Sequence, residues 1–250
     1  MAGAARPAPR QHSGLQGAVL AGAGRVVATA PQLPPTGPRS ATAQRLLLVA
    51  LEQFAEHGFY GTSIRDLARA MGLQPASLYT HTPSKEQVLA DLVLLGHRAH
   101  ADHVEQALAA APPDPAAQLA AFVTAHVQVH ARYTLLCVVT NSELHALPAP
   151  LAAESLAIRQ RTSELLRDIV QGGQDDGAFD VPDVMLTVAA IAAMGMRVAV
   201  WFDGDGTHTE QDVVDSYVAL ALRMVGAGPA AGPSDAGGRT TTRATRVRRR

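Results

Sequence analysis

The chain has 250 residues, of which only 4% are aromatic, one cysteine and a formal net charge of −1. The single cysteine excludes a disulfide-bonded scaffold and a zinc site built from cysteines, and the scarcity of aromatic residues disfavours a β-sandwich. We therefore expect an all-α protein in a reducing compartment, with Cys137 buried in the apolar run 135–139.

The two ends of the chain differ in charge from its body. Residues 1–39 carry +4, residues 226–250 carry +5, and residues 40–225 carry −10. Both ends lack apolar periodicity, so residues 1–38 are predicted to form a disordered arm and residues 226–250 a disordered basic tail. Residues 40–86 are neutral, which makes them the part of the acidic body that DNA repels least.

Capping residues and helix breakers predict nine helices and no strand between the two ends. Two of these helices form a short motif over residues 62–85. The others are predicted over about 40–57, 84–110, 114–131, 134–144, 150–172, 182–202 and 209–225. No apolar run of 18 residues is apparent, so we expect no membrane-spanning segment.

The central motif has the pattern of a helix-turn-helix. Ile64, Leu67, Ala68 and Met71 are spaced to bury one face of a first helix, which Ser63 and Asp66 cap and Gly72 ends. Pro75 suits the first position of a second helix, and Leu78 returns to the core. The exposed side of this second helix carries side chains that can meet phosphates and base edges in a major groove. They are Gln74, Ser77, Tyr79, Thr80 and His81.

The segment from about 42 to 89 resembles the tetracycline-repressor (TetR) family of bacterial transcriptional regulators. The resemblance rests on Phe54, Gly58, Thr62, Ile64, Ala68, Gly72, Leu78, Tyr79, His81 and the run 84–86. Two positions depart from the family pattern: Thr82 stands where Phe is usual, and Gln74 where Ser or Thr usually caps the recognition helix. The resemblance implies a DNA-binding domain over 39–85 and a ligand-binding and dimerisation domain over 86–225, whose last two helices pair with those of a second subunit.

The resemblance also implies roles for individual residues. Side chains that contact phosphates would be Thr62, Ser63, Tyr79, His81 and Lys85. Residues that face bases would be Gln74, Pro75, Ala76, Ser77 and Thr80. Tyr79 and His81 have an alternative interpretation, in which they simply cover the core.

A second resemblance rests on Phe122, His126, His130, Ala131, the runs 141–144 and 177–179, and Gly195 through Arg197 to Trp201 and Phe202. By these residues the C-terminal part is similar, more loosely, to TetR-like regulators of lipid and steroid catabolism that bind acyl-CoA thioesters. The resemblance and the apolar pattern suggest an effector site at Phe122, His126, His130, Met185, Met194, Arg197 and Trp201. Arg197 and Trp201 are four residues apart and would share a helix face, where they could meet an anionic ligand or a second subunit.

Two other classes of function remain as alternatives. His97, His100 and His103 recur at every third position, and His126 and His130 are four apart, which is a spacing that can chelate a transition metal. A metal-responsive regulator is therefore the second hypothesis, although no cysteine joins these histidines. An enzyme is not expected, because no nucleophile elbow, phosphate loop or dinucleotide fingerprint is present.

The sequence thus predicts a homodimeric, cytoplasmic, ligand-responsive regulator, most simply a repressor. Its expected partners are a palindromic double-stranded operator and a small-molecule effector, for which an acyl-CoA is a candidate, with no cofactor and no membrane.

Overall fold

The computed structural model describes residues 30–35, 37, 39–204 and 206–227, and these residues form helices and no strand. The all-α prediction is therefore confirmed. The helices are α1 (Ala41–Gly61), α2 (Ile64–Met71), α3 (Pro75–Leu78), α4 (Lys85–Ala110), α5 (Pro115–Arg132), α6 (Thr134–Glu143), α7 (Ala149–Asp175), α8 (Val184–Met196), α9 (Val198–Trp201) and α10 (Glu210–Met224). Helices α8 and α9 correspond to one predicted helix, which a turn at Arg197 divides.

Short polar side chains begin six of these helices. In each case the side chain of the residue before the helix accepts a hydrogen bond from a backbone N–H three residues further on, which satisfies one of the unpaired donors of the first turn. These residues are Ser40, Ser63, Ser84, Asp114, Asp183 and Thr209. The helix starts predicted from such residues are confirmed.

The first hydrophobic core joins the helix-turn-helix to the rest of the chain. It contains Phe54 of α1, Leu67 of α2 and Leu78 of α3, together with Leu89 of α4 and Leu136 of α6, all essentially excluded from solvent. This core therefore runs across residue 85, the predicted boundary between the two domains.

A second core lies at the other end of the molecule. It is built from α4, α5, α7, α8 and α10 and includes Val104, Leu119, Leu166 and Ile191. Helix α4 contributes to both cores. It lies close to α6, because a Cβ placed on Gly96 would be 2.7 Å from Thr140 Cγ2. This contact leaves room only for glycine unless the two helices move apart.

The packed part of the chain begins earlier than predicted. The predicted disordered arm, residues 1–38, lies mostly outside the described residues, but Leu33 packs against the first core and Pro34 is buried. Just beyond this arm, Arg39 forms an ion pair with Asp91 of α4, at 3.3 Å. These apolar contacts hold Leu33 and Pro34 in place, although composition alone predicted that they would be disordered. The predicted basic tail lies outside the described residues from 228 onward.

Helix α7 passes through Gly172 and Gly173, where the sequence analysis expected it to end. Gly173 serves packing instead, because a Cβ there would lie 2.2 Å from Cδ2 of Phe179. The backbone N–H groups of Ala178 and Phe179 both donate to the Gly173 carbonyl and close the turn after the helix. Gly177, with φ of 69°, provides the left-handed conformation of that turn.

One apolar stretch contradicts the expectation that no membrane-length run exists. Val184–Trp201 has a mean hydropathy of 1.8 and is, by length and composition, able to span a bilayer. Only 33% of it is buried in the single chain, and Met185 and Leu186 are strongly exposed. Exposed apolar residues on one helix are also what a subunit interface requires, because there a second chain covers them.

The neighbouring glycines of α7 provide a test of this packing. Gly173→Ala should lower the free energy of unfolding by about 1–3 kcal/mol, because the new methyl group overlaps the ring of Phe179. Gly172→Ala is the matched control: nothing lies within 4 Å of its Cβ, so it should stabilise the helix by about 0.5–1 kcal/mol. Urea unfolding followed by circular dichroism measures both, and equal effects of the two changes would contradict this assignment.

Candidate nucleic-acid interface and effector region

Helix α3 presents a compact exposed surface. It has only four residues, and Leu78 fixes it to the first core. The residues around it that the sequence assigned to DNA are exposed, apart from half-buried Pro75: they are Gln74, Ala76, Ser77, Tyr79, Thr80 and His81. Tyr79 is 53% exposed, so it does not cover the core. The side chains predicted to meet DNA therefore share one accessible segment.

Local hydrogen bonds shape this segment. Pro75 occupies the first turn of α3, as predicted, and Thr80 Oγ1 donates to the Ser77 carbonyl over 2.7 Å. Gln74 precedes the helix but makes no capping hydrogen bond with its side chain. Its amide is consequently not used to start the helix, unlike the shorter side chains that cap six of the other helices.

Helix α2 begins with the predicted capping pair. Ser63 Oγ accepts from the Asp66 N–H at 3.2 Å, and the Ser63 N–H donates to Asp66 Oδ2 at 3.0 Å. The Ser63 hydroxyl and N–H lower the pKa of the Asp66 carboxyl by bonding to its charged form. Arg69 also pairs with Asp66, at 3.1 Å. The reciprocal bonds fix the entry to the helix-turn-helix.

Two of the predicted phosphate contacts are used inside the domain instead. Thr62 is 2% exposed, and its hydroxyl lies 3.0 Å from the Gly58 carbonyl and 3.2 Å from the Gln53 carbonyl. Lys85 Nζ donates to the carbonyls of Phe59 and Thr62, both at 2.7 Å, and lies 3.9 Å from the centre of the Phe59 ring. Burial lowers the pKa of Lys85. The geometry gives both residues the role of holding the connection between α1 and α2.

The same connection carries an exposed aromatic residue that the sequence analysis did not single out. Tyr60 is 75% exposed beside the buried Phe59 ring, with 5.4 Å between the ring centres. An aromatic residue next to the Gly61–Thr62 turn was the available signal. An open groove of about 460 Å³ lies nearby between α1 and α2, lined by Gln53, His57, Gly61, Asp66, Arg69 and Ala70.

Five of the seven predicted effector residues lie within or against the packed helices of the bundle. Phe122, His126 and His130 are buried on α5, whereas Met194 and Trp201 are partly buried against the second core. The rings of Phe122 and His126 are 5.9 Å apart. Trp201 packs near Tyr217, with 6.4 Å between ring centres.

Met185 and Arg197 do not belong to an enclosed site in the single chain. Met185 is 61% exposed on α8, so the single chain does not enclose it, and its place in an effector pocket stays a prediction. Arg197 is exposed at the turn between α8 and α9, whereas Trp201 is partly buried. The single helix on which they were expected to share a face is divided at this turn.

Buried histidines form the most unusual chemical feature of the helical bundle. His126 and His130 of α5 lie against His100 of α4, a residue that the sequence analysis considered only for metal binding. Burial lowers the pKa of all three, that of His130 to about 3. His97 is also buried, and its pKa is lowered to about 4 by burial and by Arg159. All four are neutral at pH 7.

Cys137 behaves as predicted for a structural residue. It is buried, its Sγ lies 3.7 Å from the Val129 carbonyl, and burial raises its pKa to about 12. A thiol of this kind is not a nucleophile at neutral pH.

Substitution of Lys85 tests whether it holds the fold or contacts DNA. Lys85→Met should lower the free energy of unfolding by about 1–2 kcal/mol, because two carbonyls lose a charged donor. Thr62→Val, which removes a buried hydroxyl of similar size, should act in the same direction. Neither change should alter the salt dependence of DNA binding. A loss of about 0.9 from the slope of log K against log salt would instead identify a phosphate contact.

Comparison with known proteins places these features in a family. Residues 46–92 match the family described as "Bacterial regulatory proteins, tetR family", and residues 112–225 match "Tetracyclin repressor-like, C-terminal domain". The chain is 26% identical over 197 residues to the HTH-type transcriptional repressor KstR2 of Rhodococcus jostii RHA1, covering 78% of this chain and 96% of that protein.

Solved structures agree with this assignment. A tetR-family regulatory protein from Rhodococcus RHA1 superposes with a TM-score of 0.70 at 30% identity, over 76% of this chain and all of that one. AibR, solved in complex with isovaleryl coenzyme A and operator DNA, shares the fold, with a TM-score of 0.64 at 21% identity over 71% of this chain and 96% of that one. The two family matches cover the helix-turn-helix and the C-terminal bundle in turn, and the chain belongs to the TetR family of bacterial regulatory proteins.

Proposed function

We propose that the chain is a homodimeric transcriptional repressor that binds a palindromic operator and releases it when an acyl-CoA-type effector binds the helical bundle. The observation that carries this proposal is the exposed segment 74–81, in which six exposed side chains that can meet DNA lie on and beside a short helix anchored by Leu78. The repressor KstR2, to which the chain is similar over most of its length, supports the same function.

Residues around α3 would read the operator sequence. The Gln74 amide has both a donor and an acceptor, which is the pattern needed to bond to an adenine edge in the major groove. Ala76 and Ser77 are small and exposed, so they let the helix approach the bases closely. Pro75 and Thr80 flank them and would lie within the same groove.

Residues beside this segment would hold the phosphate backbone. Ser63, Tyr79 and His81 are exposed and carry a hydroxyl or an imidazole that can bond to a phosphate oxygen. The acidic charge of the remaining body repels DNA elsewhere, which favours binding through this neutral end.

Dimerisation would cover the exposed apolar faces of α8 and α10. Met185 and Leu186 of α8 and Leu220 and Met224 of α10 are exposed in the single chain. Exposed Ala189 and Ala190 are small enough for close helix approach. A two-fold dimer through these helices would present two recognition helices about 34 Å apart, which matches one turn of DNA.

The effector would bind between the helices of the second core. Phe122, Met194 and Trp201 border that core and offer apolar surface for an acyl chain, while His126 and His130 add polar groups beside it. Exposed Arg197 could meet the anionic part of a CoA thioester. AibR, which was solved with isovaleryl coenzyme A and operator DNA, has the same fold and supports a thioester as the class of effector.

Helix α4 would transmit the effector signal. It contributes Leu89 to the core beneath the helix-turn-helix and Val104 to the core of the bundle. An effector that shifts the second core would therefore move the helix on which the recognition domain rests, and so change the spacing of the two recognition helices.

Substitution of Gln74 tests whether its side chain recognises a base of the operator. Gln74→Ala should weaken binding to an operator duplex selected from random DNA by roughly 5–150-fold and relax the preference at one base pair. Gln160→Ala, an exposed glutamine on α7 whose side chain bonds to Glu164, is the matched control and should leave binding unchanged. Fluorescence anisotropy measures both. Unchanged affinity and sequence preference in Gln74→Ala would exclude this role.

The effector is tested by competition. In buffer containing a chelator, isovaleryl-CoA or a longer acyl-CoA should lower operator affinity by roughly 5–150-fold, and the operator should lower acyl-CoA affinity by the same factor. Anisotropy and calorimetry measure the two arms. If both ligands bind and neither weakens the other, or if no acyl-CoA binds, the thioester hypothesis fails.

A further inference from the structure

Three imidazole rings from two helices meet inside the bundle. His100 lies on α4, and His126 and His130 lie on adjacent turns of α5, with ring centres 4.9, 5.6 and 4.5 Å apart. One ring nitrogen from each residue lies within 4.8 Å of the other two. The binding of DNA does not explain why three imidazoles should be gathered here.

Hydrogen bonds to the backbone orient two of the rings. A carbonyl can only accept, so His126 Nε2 carries the proton that it donates to the Ala192 carbonyl, at 3.0 Å. In the same way His130 Nδ1 donates to the His126 carbonyl, at 2.7 Å. Each ring therefore keeps a lone pair on its other nitrogen. Imidazoles that bind metals in proteins are usually held by this arrangement, with one nitrogen bonded to a carbonyl and the other to the metal.

His100 completes the group. Its Nε2 lies 2.8 Å from Nδ1 of His126, which has no proton, so His100 donates this hydrogen bond when no ion is bound. For Nε2 to bind a metal, the proton leaves Nε2 and the other ring nitrogen, Nδ1, takes one up. The ring remains neutral throughout, and no other group has to change its charge.

A fourth buried imidazole lies on α4, one turn before the cluster. His97 is one turn before His100 on α4 and is buried. Its Nδ1 is one of two buried side-chain polar atoms in the described part of the chain that have no hydrogen-bond partner. A buried nitrogen that lacks a partner is costly, and a metal ion or its bound water would satisfy it.

Helix α8 is shaped to accept the cluster. A Cβ on Gly195 would lie 2.1 Å from Cδ2 of His126, so only glycine allows the ring to reach the Ala192 carbonyl. The cluster thus depends on α4, α5 and α8 together.

We propose that His100, His126 and His130 form a binding site for one transition-metal ion of the zinc class, with a water molecule as the fourth ligand. Imidazole nitrogens without carboxylates are suited to zinc and not to magnesium or calcium. Tetrahedral zinc with Zn–N bonds of about 2.0–2.1 Å places its ligand atoms roughly 3.4 Å apart. The ring nitrogens of the three histidines are now 2.8 Å to at most 4.8 Å apart, so only small movements of the rings are needed to bind the ion.

The test uses the untagged full chain after removal of metals by a chelator. Calorimetric titration with ZnCl₂ should show one ion per chain. Titration with CoCl₂ should give the visible absorption of four-coordinate cobalt. Binding should raise the melting temperature, because the ion joins α4 to α5 in the folded state only.

Two variants remove ligands and one serves as the matched control. His100→Gln and His130→Gln should each weaken zinc binding by roughly 100-fold or more. His103→Gln should bind like the unchanged chain, because His103 lies on the next turn of α4 and bonds to Gln128 at 3.1 Å. His100 is only half-buried, so His100→Gln retains a test if His130→Gln does not fold. Circular dichroism without metal checks the fold of each variant.

The absence of stoichiometric zinc binding in the unchanged chain would overturn the proposal. So would binding that survives both ligand substitutions, since the ion would then be held by other histidines. The operator and acyl-CoA experiments are run in chelator, so their outcome does not depend on a bound metal ion, and either proposal can fail alone.

Discussion

The structure depends on one helix that belongs to two hydrophobic cores. Helix α4 spans 26 residues, about 39 Å at 1.5 Å per residue. At its start Leu89 and Leu92 pack beneath the helix-turn-helix, and further along Val104 packs in the bundle. Between these contacts Gly96 lies close against α6. A rigid element with buried contacts at both ends cannot move at one end without disturbing the other.

The DNA-facing end is coupled to α4 by polar bonds as well as by packing. Lys85, the first residue of the helix, donates to the carbonyls of Phe59 and Thr62, and Thr62 is itself bonded to the end of α1. A displacement of α4 therefore pulls directly on the connection that leads into α2. The recognition segment is packed on that connection and moves with it. Lys85 therefore serves to couple the movement of α4 to the recognition segment.

Local features of the sequence predicted the fold well, whereas contacts between distant residues were not visible in it. The Ser63–Asp66 cap, the stop at Gly72 and Pro75 at the start of α3 follow from neighbours within a few residues, and all are confirmed. The internal use of Lys85 joins residues 23 and 26 positions apart. His100 and His126 are 26 positions apart, and the contact between Gly195 and His126 joins α8 to α5. Spacing along one helix cannot reveal such pairs, because the packing of several helices creates them.

The exposed apolar face of α8 and α10 affects the energetics of the protein as a whole. In a dimer joined through Met185, Leu186, Leu220 and Met224, part of the hydrophobic free energy of folding is gained only on association. The folded state then gains stability as the number of copies rises, by mass action. A newly made chain at low copy number would be monomeric and therefore the form most exposed to proteolysis. The lifetime of the folded regulator would thus increase with its concentration.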